Sequence, residues 1–201
     1  PPVGNDPVKV RQIVEFEARQ NVPFPMDEVV WDYQLISSED ESEIDAVFVV
    51  IKNEDLKKIT DVIQDAGFEI DLIEISPTAS YNSACANEIG QDECSMVLNI
   101  GSRCSTLTFI DQGRFFVRTI PIAGQTITQQ ISKEFGIPFA DAEEMKRRHG
   151  FVALGGAYEE PDSEVAATVS KIVRNVMTRL HGELNRSINV YRSQQKGKRP
   201  E

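Results

Sequence analysis

The chain has 201 residues, of which 40% are apolar and 26% charged, with a net charge of −11 at pH 7. That is an ordinary globular composition, long enough for one large domain or two small ones. No stretch approaches the roughly 18 consecutive apolar residues of a membrane span, so direct membrane insertion is not expected. Residues 1–75 carry 18 acidic and 6 basic side chains, whereas residues 76–201 carry 14 and 15. This asymmetry predicts two units with different surfaces and argues against nucleic acid as a partner, since phosphate binding needs clustered Lys and Arg. The start, Pro1 to Pro7, has neither a basic nor an apolar region, so no signal peptide is visible. It also lacks an initiator Met, and the chain reads as an excised piece. Cys85, Cys94 and Cys104 are odd in number and fit no zinc spacing, which predicts reduced thiols in a cytosolic compartment.

In chain order, Val8 to Gln20 is predicted to be an amphipathic helix behind Asp6-Pro7, stopped by Pro23 and Pro25. Val29 to Ile36 reads as a strand with Val29, Trp31, Tyr33 and Leu35 on one face. After the acidic turn Ser37 to Glu43, Ile44 to Ile51 is almost wholly apolar and β-branched, the pattern of a buried central strand. Asn53 is expected to cap a helix that runs to Ala66 and stops at Gly67, with a further strand at Glu69 to Ile75. The first unit, residues 1–75, is therefore predicted to be α-β-β-α-β.

Residues 76–94 read as a connecting helix and loop, the helix rich in small side chains from Pro77 to Asn87. From residue 95 a second unit begins. Met96 to Ser102, Thr106 to Asp111 and Arg114 to Ile122 are predicted strands, the last two joined at Gln112-Gly113. Helices follow from Gly124 to Phe135 and after Pro138, then a loop from Gly150 to Pro161 containing Gly155-Gly156. From Ser163 on, Val165, Val169, Ile172, Val173, Val176, Leu180, Leu184, Ile188 and Tyr191 recur every three or four positions. That spacing predicts a long amphipathic helix of about 40 Å, with Gly182 as a candidate bend. The Lys196, Lys198 and Arg199 tail reads as solvated.

Two places carry candidate chemistry. A strand ending in Asn99-Ile100-Gly101-Ser102 lets backbone approach an anion and offers the following N–H groups to it. The plainer alternative is a hairpin-entry glycine with no ligand. Glu143 and Lys146 stand i, i+3 on a helix and share a face, with Arg147 beside them, so they can address one ligand. The plainer alternative is a solvated charged helix. Neither His149 nor His181 lies near a nucleophile motif, and no zinc-protease, nucleophile-elbow, P-loop or dinucleotide-binding string is present. No catalytic residue and no metal ligand is assigned.

The run Glu15 to Tyr33 (EFEARQNVPFPMDEVVWDY) resembles a signature of the PilM family of actin-like type IV pilus assembly proteins, which is similar to the cell-division protein FtsA. Asn99-Ile100-Gly101 resembles that family's phosphate loop, with Asn where Asp is usual. Phe116 to Thr128, Ala142 to Lys146 and Ile188 to Gln194 resemble later motifs in the same order, with Ala123 where the first of two glycines is usual. The resemblance implies an α/β, actin-like (ribonuclease H-like) fold, incomplete here. Residues 1–75 would be the inserted 1C-like subdomain and residues 95–201 a 2A-like subdomain. The phosphate-1 hairpin would precede Pro1, and the adenosine-binding glycine motif would follow Glu201.

It also implies that Asn99, Gly101, Ser102, Gly124, Glu143, Lys146 and Arg147 form one wall of a nucleotide cleft. ATP and Mg²⁺ would then be cofactors of the full-length protein, with none expected for this fragment and no ATP hydrolysis by it. The implied role is a cytoplasmic scaffold, peripheral to the inner membrane, that links the pilus motor to the membrane platform. Its implied partners are the tail of a PilN-like inner-membrane protein and other pilus assembly proteins. A second copy is a further expected partner, because an incomplete domain exposes its cleft wall. Rival readings are an ATP-driven switch, an FtsA-like tether and a type II secretion platform component. If the actin kinship holds, Gly101 and Lys146 must face the same region of the molecule.

Overall fold

The structure, a computed structural model, describes residues 7–37, 44–111, 113–151, 163–194 and 200. The chain divides into two units, Pro1–Ile75 and Ser76–Glu201.

The first unit holds α1 (Pro7–Asn21), a 3₁₀ turn (Met26–Glu28), β1 (Val29–Ser37), β2 (Ile44–Lys52) and α2 (Asn53–Asp65). In α1, Val10, Val14 and Ala18 are buried at a spacing of four, which puts one stripe inward. β1 and β2 pair antiparallel from Val29↔Lys52 to Ser37↔Ile44 and form a two-stranded sheet. Three expectations change here. β2 is not a buried central strand: with one neighbour, its side chains from Ala46 to Lys52 are only partly buried. Asn53 does not cap α2, because Lys52 occupies the cap position and the Asn53 amide instead donates to the Asp27 carbonyl at 2.9 Å. Residues 69–75 form no strand: among the described residues no neighbouring strand supplies the ladder that would satisfy their backbone, and Leu72 is 79% exposed. The described order is thus α-β-β-α.

The second unit opens with α3 (Ser76–Ala86), which packs on the sheet that follows it. That sheet is an antiparallel meander of β3 (Ser95–Ile100), β4 (Ser105–Asp111) and β5 (Arg114–Ile120) in the order β3-β4-β5. Between α3 and β3, Gly90 has φ +80° and lies against β4, where an added Cβ would stand 2.5 Å from Ile110 Cγ2. Only glycine meets both demands.

Helices α4 (Gly124–Phe135), α5 (Phe139–His149) and α6 (Glu164–Gln194) complete the unit. α4 ends where the sequence predicts: Gly136 takes φ +62° and donates to Ser132 O, and the Ser132 hydroxyl bonds Ile137 O at 2.6 Å. Ser163 caps α6, its hydroxyl accepting from Ala166 N at 3.1 Å. With 31 residues α6 runs about 46 Å. Its inward stripe joins three clusters. Val169 and Val173 meet Ile131 and Ala142, Val176 and Leu180 meet Ile120 and Ile122, and Tyr191 meets Leu107, Phe109 and Cys94. Tyr191 stacks on Phe109 with ring centroids 4.3 Å apart and donates to Asp111 Oδ2 at 3.1 Å. Apolar burial and one buried hydrogen bond thus pin the end of α6 across β4. No cysteine is in a disulfide: Cys94 is buried and Cys104 exposed. The acidic turn at 38–43, the loop at 152–162 and the tail at 195–199 lie outside the described residues.

Candidate functional site

The β3–β4 turn, the start of α4 and the outer face of α5 meet at one place. Gly101 N donates to Cys104 O at 3.1 Å, which closes the turn between β3 and β4. A Cβ at residue 101 would stand 2.8 Å from that Cys104 oxygen, so the turn requires glycine there. The first N–H groups of any helix lack intrahelical acceptors. Here the hairpin tip supplies them, as Gly124 N donates to Gly101 O at 3.1 Å and Gln125 N to Ser102 O at 2.8 Å. Thr126 Oγ1 accepts from Ala123 N at 3.2 Å. Ser105 Oγ, fully buried, reaches Ile122 O at 2.6 Å and fixes the approach to α4.

α5 then closes over α4. Lys146 Nζ lies 3.3 Å from Gly124 O, 3.0 Å from Thr128 Oγ1 and 2.6 Å from Glu143 Oε2. Thr128 Oγ1 is 2.5 Å from the same Glu143 oxygen and 3.2 Å from Gly124 O. One hydroxyl carries one proton, and the short contact to a carboxylate is the stronger use of it. Glu143 Oε1 accepts only from Arg147 Nε among the described bonds, at 3.2 Å. The Lys146 ammonium, then the Thr128 hydroxyl, stabilise the ionised carboxylate and pull the Glu143 pKa down to about 2. Glu143 is an anion at any physiological pH, with one oxygen committed to the network and the other turned toward an exposed cation.

Gly101, Ser102, Gly124, Glu143 and Lys146 are thus brought together, and Gly101 and Lys146 share one side of the site. The would-be Cβ of Gly124 lies 3.6 Å from Gly101 O and 3.7 Å from Lys146 Nζ. Asn99 is exposed on β3 opposite Thr106 and makes none of these bonds. Arg147 is 78% exposed and touches the cluster only through Glu143. Thr128, fully buried at the centre, was not singled out from sequence. Its position four residues after Gly124 on a helix was the available signal. Among the described residues no group of three or more His, Cys, Asp or Glu could hold a metal ion.

Residues 8–192 match the model of the family described as type IV pilus assembly protein PilM. The cell division protein FtsA of Escherichia coli K12 is 30% identical over 117 residues, covering 57% of this chain and 27% of that protein. The Shigella flexneri FtsA matches to the same extent, over 26% of its length. Among solved structures, a PilM-PilN type IV pilus biogenesis complex superposes with a TM-score of 0.76 at 24% identity, over 96% of this chain and 54% of that one. The ethanolamine utilization protein EutJ from Carboxydothermus hydrogenoformans gives 0.51 at 19% identity, over 72% and 46%. The chain therefore spans about a quarter of the curated relatives and about half of the solved ones. The α/β fold is actin-like, as the sequence resemblance implied. By its match over nearly its whole length, the chain belongs to the PilM family of type IV pilus assembly proteins.

Proposed function

We propose that this chain is an interaction module of type IV pilus assembly, a cytoplasmic scaffold that binds the tail of a PilN-like inner-membrane protein and links the pilus motor to the membrane platform. The observation that carries the reading is the family match over residues 8–192. The likeness to a solved PilM-PilN complex supports the partner. No helix among the described residues is long and apolar enough to cross a membrane, which suits a protein held at the membrane through a partner. The 18 acids against 6 bases in residues 1–75 complement a tail bearing the Lys and Arg that flank membrane spans on the inner face. In fluorescence anisotropy with a labelled PilN-like tail peptide, binding to the whole chain is expected to be saturable. It should weaken several-fold between 50 and 500 mM salt, on the order expected from charge screening. No binding to the tail removes the partner, and salt-independent binding removes the electrostatic part.

A second reading rests on the cluster at the hairpin tip. Its residues fit the sugar of a nucleoside in part: Glu143 is a fixed anion able to accept hydroxyl protons, and Lys146 orients it. They do not fit Mg²⁺, because Asn99 is neutral and is a poorer ligand for a hard cation than a carboxylate. The amides of Gly124 and Gln125 that would face a phosphate are committed to Gly101 O and Ser102 O. The chain is therefore proposed to bind ATP weakly or not at all and not to hydrolyse it. Isothermal titration of the chain with ATP and Mg²⁺ should give no micromolar heat, and a micromolar isotherm would favour the nucleotide switch.

A further inference from the structure

Helix α6 buries one side of itself and shows the other along its length. Val169, Val173, Val176, Leu180 and Tyr191 mark the buried stripe. At about 100° per residue, Lys171, Arg174, Arg179, Arg186 and Arg192 fall within an arc of about 140° opposite that stripe. All five are exposed. The helix holds only two acids, Glu164 in its first turn and Glu183. Glu183 is already claimed, by Arg186 at 2.8 Å and by Arg118 of β5 at 3.9 Å. Lys171, Arg179 and Arg192 make no ion pair with another described residue. Beside Lys171 and Arg179, Glu134 of α4 is the one acid lining the groove between the two helices, so two cations stand against one anion there. Between the cations lie Asn175, Thr178, Asn185 and Asn189, exposed neutral side chains that donate hydrogen bonds. None of the large apolar side chains exposed among the described residues is on α6.

A protein partner draws most of its affinity from an apolar centre with aromatic or aliphatic anchors. This face has no such centre, so it suits a partner met through charge and hydrogen bonds alone. From Lys171 to Arg192 the cations span about 31 Å in a straight row. A planar layer of phosphates can meet such a row at every cation. A nucleic-acid duplex cannot, because its strands wind once in roughly 34 Å and a straight row of this length meets each strand about once. Each Lys or Arg brought to an anionic leaflet strengthens binding by a factor of about five.

We propose that the outer face of α6 lies on an anionic phospholipid surface. Its cations meet the lipid phosphates, its amides and hydroxyls sit among the headgroups, and nothing enters the hydrocarbon. The contact goes beyond the pilus reading, since the second unit makes it and lipid, not a protein tail, receives it. The chain's net charge of −11 does not forbid it. Screening confines each charge to about 8 Å at physiological salt, so the charges on the approaching face decide.

Flotation of the whole chain with phosphatidylcholine vesicles containing about one third phosphatidylglycerol tests it, with phosphatidylcholine alone as the reference. The chain is expected to float with the anionic vesicles at about 0.1 M salt, to ignore the neutral ones, and to be released at about 0.5 M. Lys171→Glu/Arg179→Glu/Arg192→Glu should lower partitioning by about a hundredfold or more, the product of three such factors. Lys9→Glu/Arg11→Glu/Lys57→Glu changes the net charge equally on the first unit and should float as the parent does. Circular dichroism melts confirm that both variants are folded. An unmodified chain that does not float with anionic vesicles overturns the proposal. So does flotation undiminished by reversal on α6, or an equal loss in both variants, which would make net charge alone the cause. A short DNA duplex bound more tightly than the vesicles, and lost in the α6 variant, would give the face to nucleic acid and also overturn it. Binding of the PilN-like tail is read separately by anisotropy, so failure of either reading is seen without the other.

Discussion

The two units spend their apolar side chains differently. In the second, the stripe of α6 and the faces of β4 and β5 interlock, and among the described residues only Ile89, Ile100 and Phe139 are large, apolar and exposed. In the first, eleven such side chains among the described residues are exposed, including Val8, Phe16, Val30, Ile59, Val62, Phe68 and Leu72, while of the described apolar residues only Val10, Val14, Ala18 and Val29 are buried. A two-stranded sheet with helices has too few layers to cover its own faces. Large uncovered apolar area on a protein marks a surface that meets something else. The second unit is thus where folding energy is concentrated, and the first is where contact with partners is to be sought.

The largest expected effect follows from the interlocked side. Phe109 is fully buried, touches Tyr191 and Phe116 through its ring and sits in the centre of its cluster. Phe109→Ala should destabilise the chain by about 3–5 kcal/mol, the range for removing a buried aromatic ring. Urea unfolding followed by tryptophan-independent far-UV dichroism reads this directly. A loss below 1 kcal/mol would mean that the second unit is no better packed than the first.

An intermediate effect belongs to the clasp between α4 and α5. Lys146→Met removes the strongest partner of Glu143 and leaves Thr128 and Arg147 in place. At neutral pH the variant should lose roughly 1 kcal/mol, since the pair is partly exposed. The dependence on pH has a definite sign. Folding holds the Glu143 pKa near 2, below its ordinary 4.5, so the contribution is complete above about 4.5 and fades as pH falls toward 2. Stability curves for the two proteins should be parallel from pH 5 to 7 and converge between pH 4.5 and 2. A gap that widens on acidification would show that Glu143 is not held as an anion.

What could be read beforehand divides along the same line. α4 and α5 were legible because glycine and proline punctuate them: Gly124 opens one, Gly136 takes a left-handed φ at its end, and Pro138 precedes the other. α6 was legible from its period. The Gly101–Lys146 neighbourhood was legible only through family resemblance. Nothing local to Lys146 reveals that its ammonium reaches a carbonyl 22 residues earlier, and Thr128 is marked only by its place one turn after Gly124. In the first unit the pattern itself misled. The run Glu69 to Ile75 reads as a strand, yet a strand is a property of two segments, and no neighbouring segment among the described residues pairs with this one. Asn53 misled differently: α2 begins one residue earlier than a cap at Asn53 requires, with Lys52 at the cap position, and the Asn53 amide donates to the Asp27 carbonyl 26 residues away.

The smallest expected effect tests the uncovered side. Leu72 and Phe68, 79% and 68% exposed, add little to folding where they stand. Leu72→Ser combined with Phe68→Ser should change unfolding free energy by no more than about 0.5 kcal/mol, the usual range for exposed positions. The same pair should lower the binding of a hydrophobic dye such as ANS at neutral pH, because it removes exposed apolar surface without opening the core. A large loss of stability would mean that these side chains are packed, and the contrast between the units would fail at its weaker end. Unchanged dye binding with unchanged stability would place the accessible apolar patch elsewhere in the first unit, with the exposed face of α2 next to be tested.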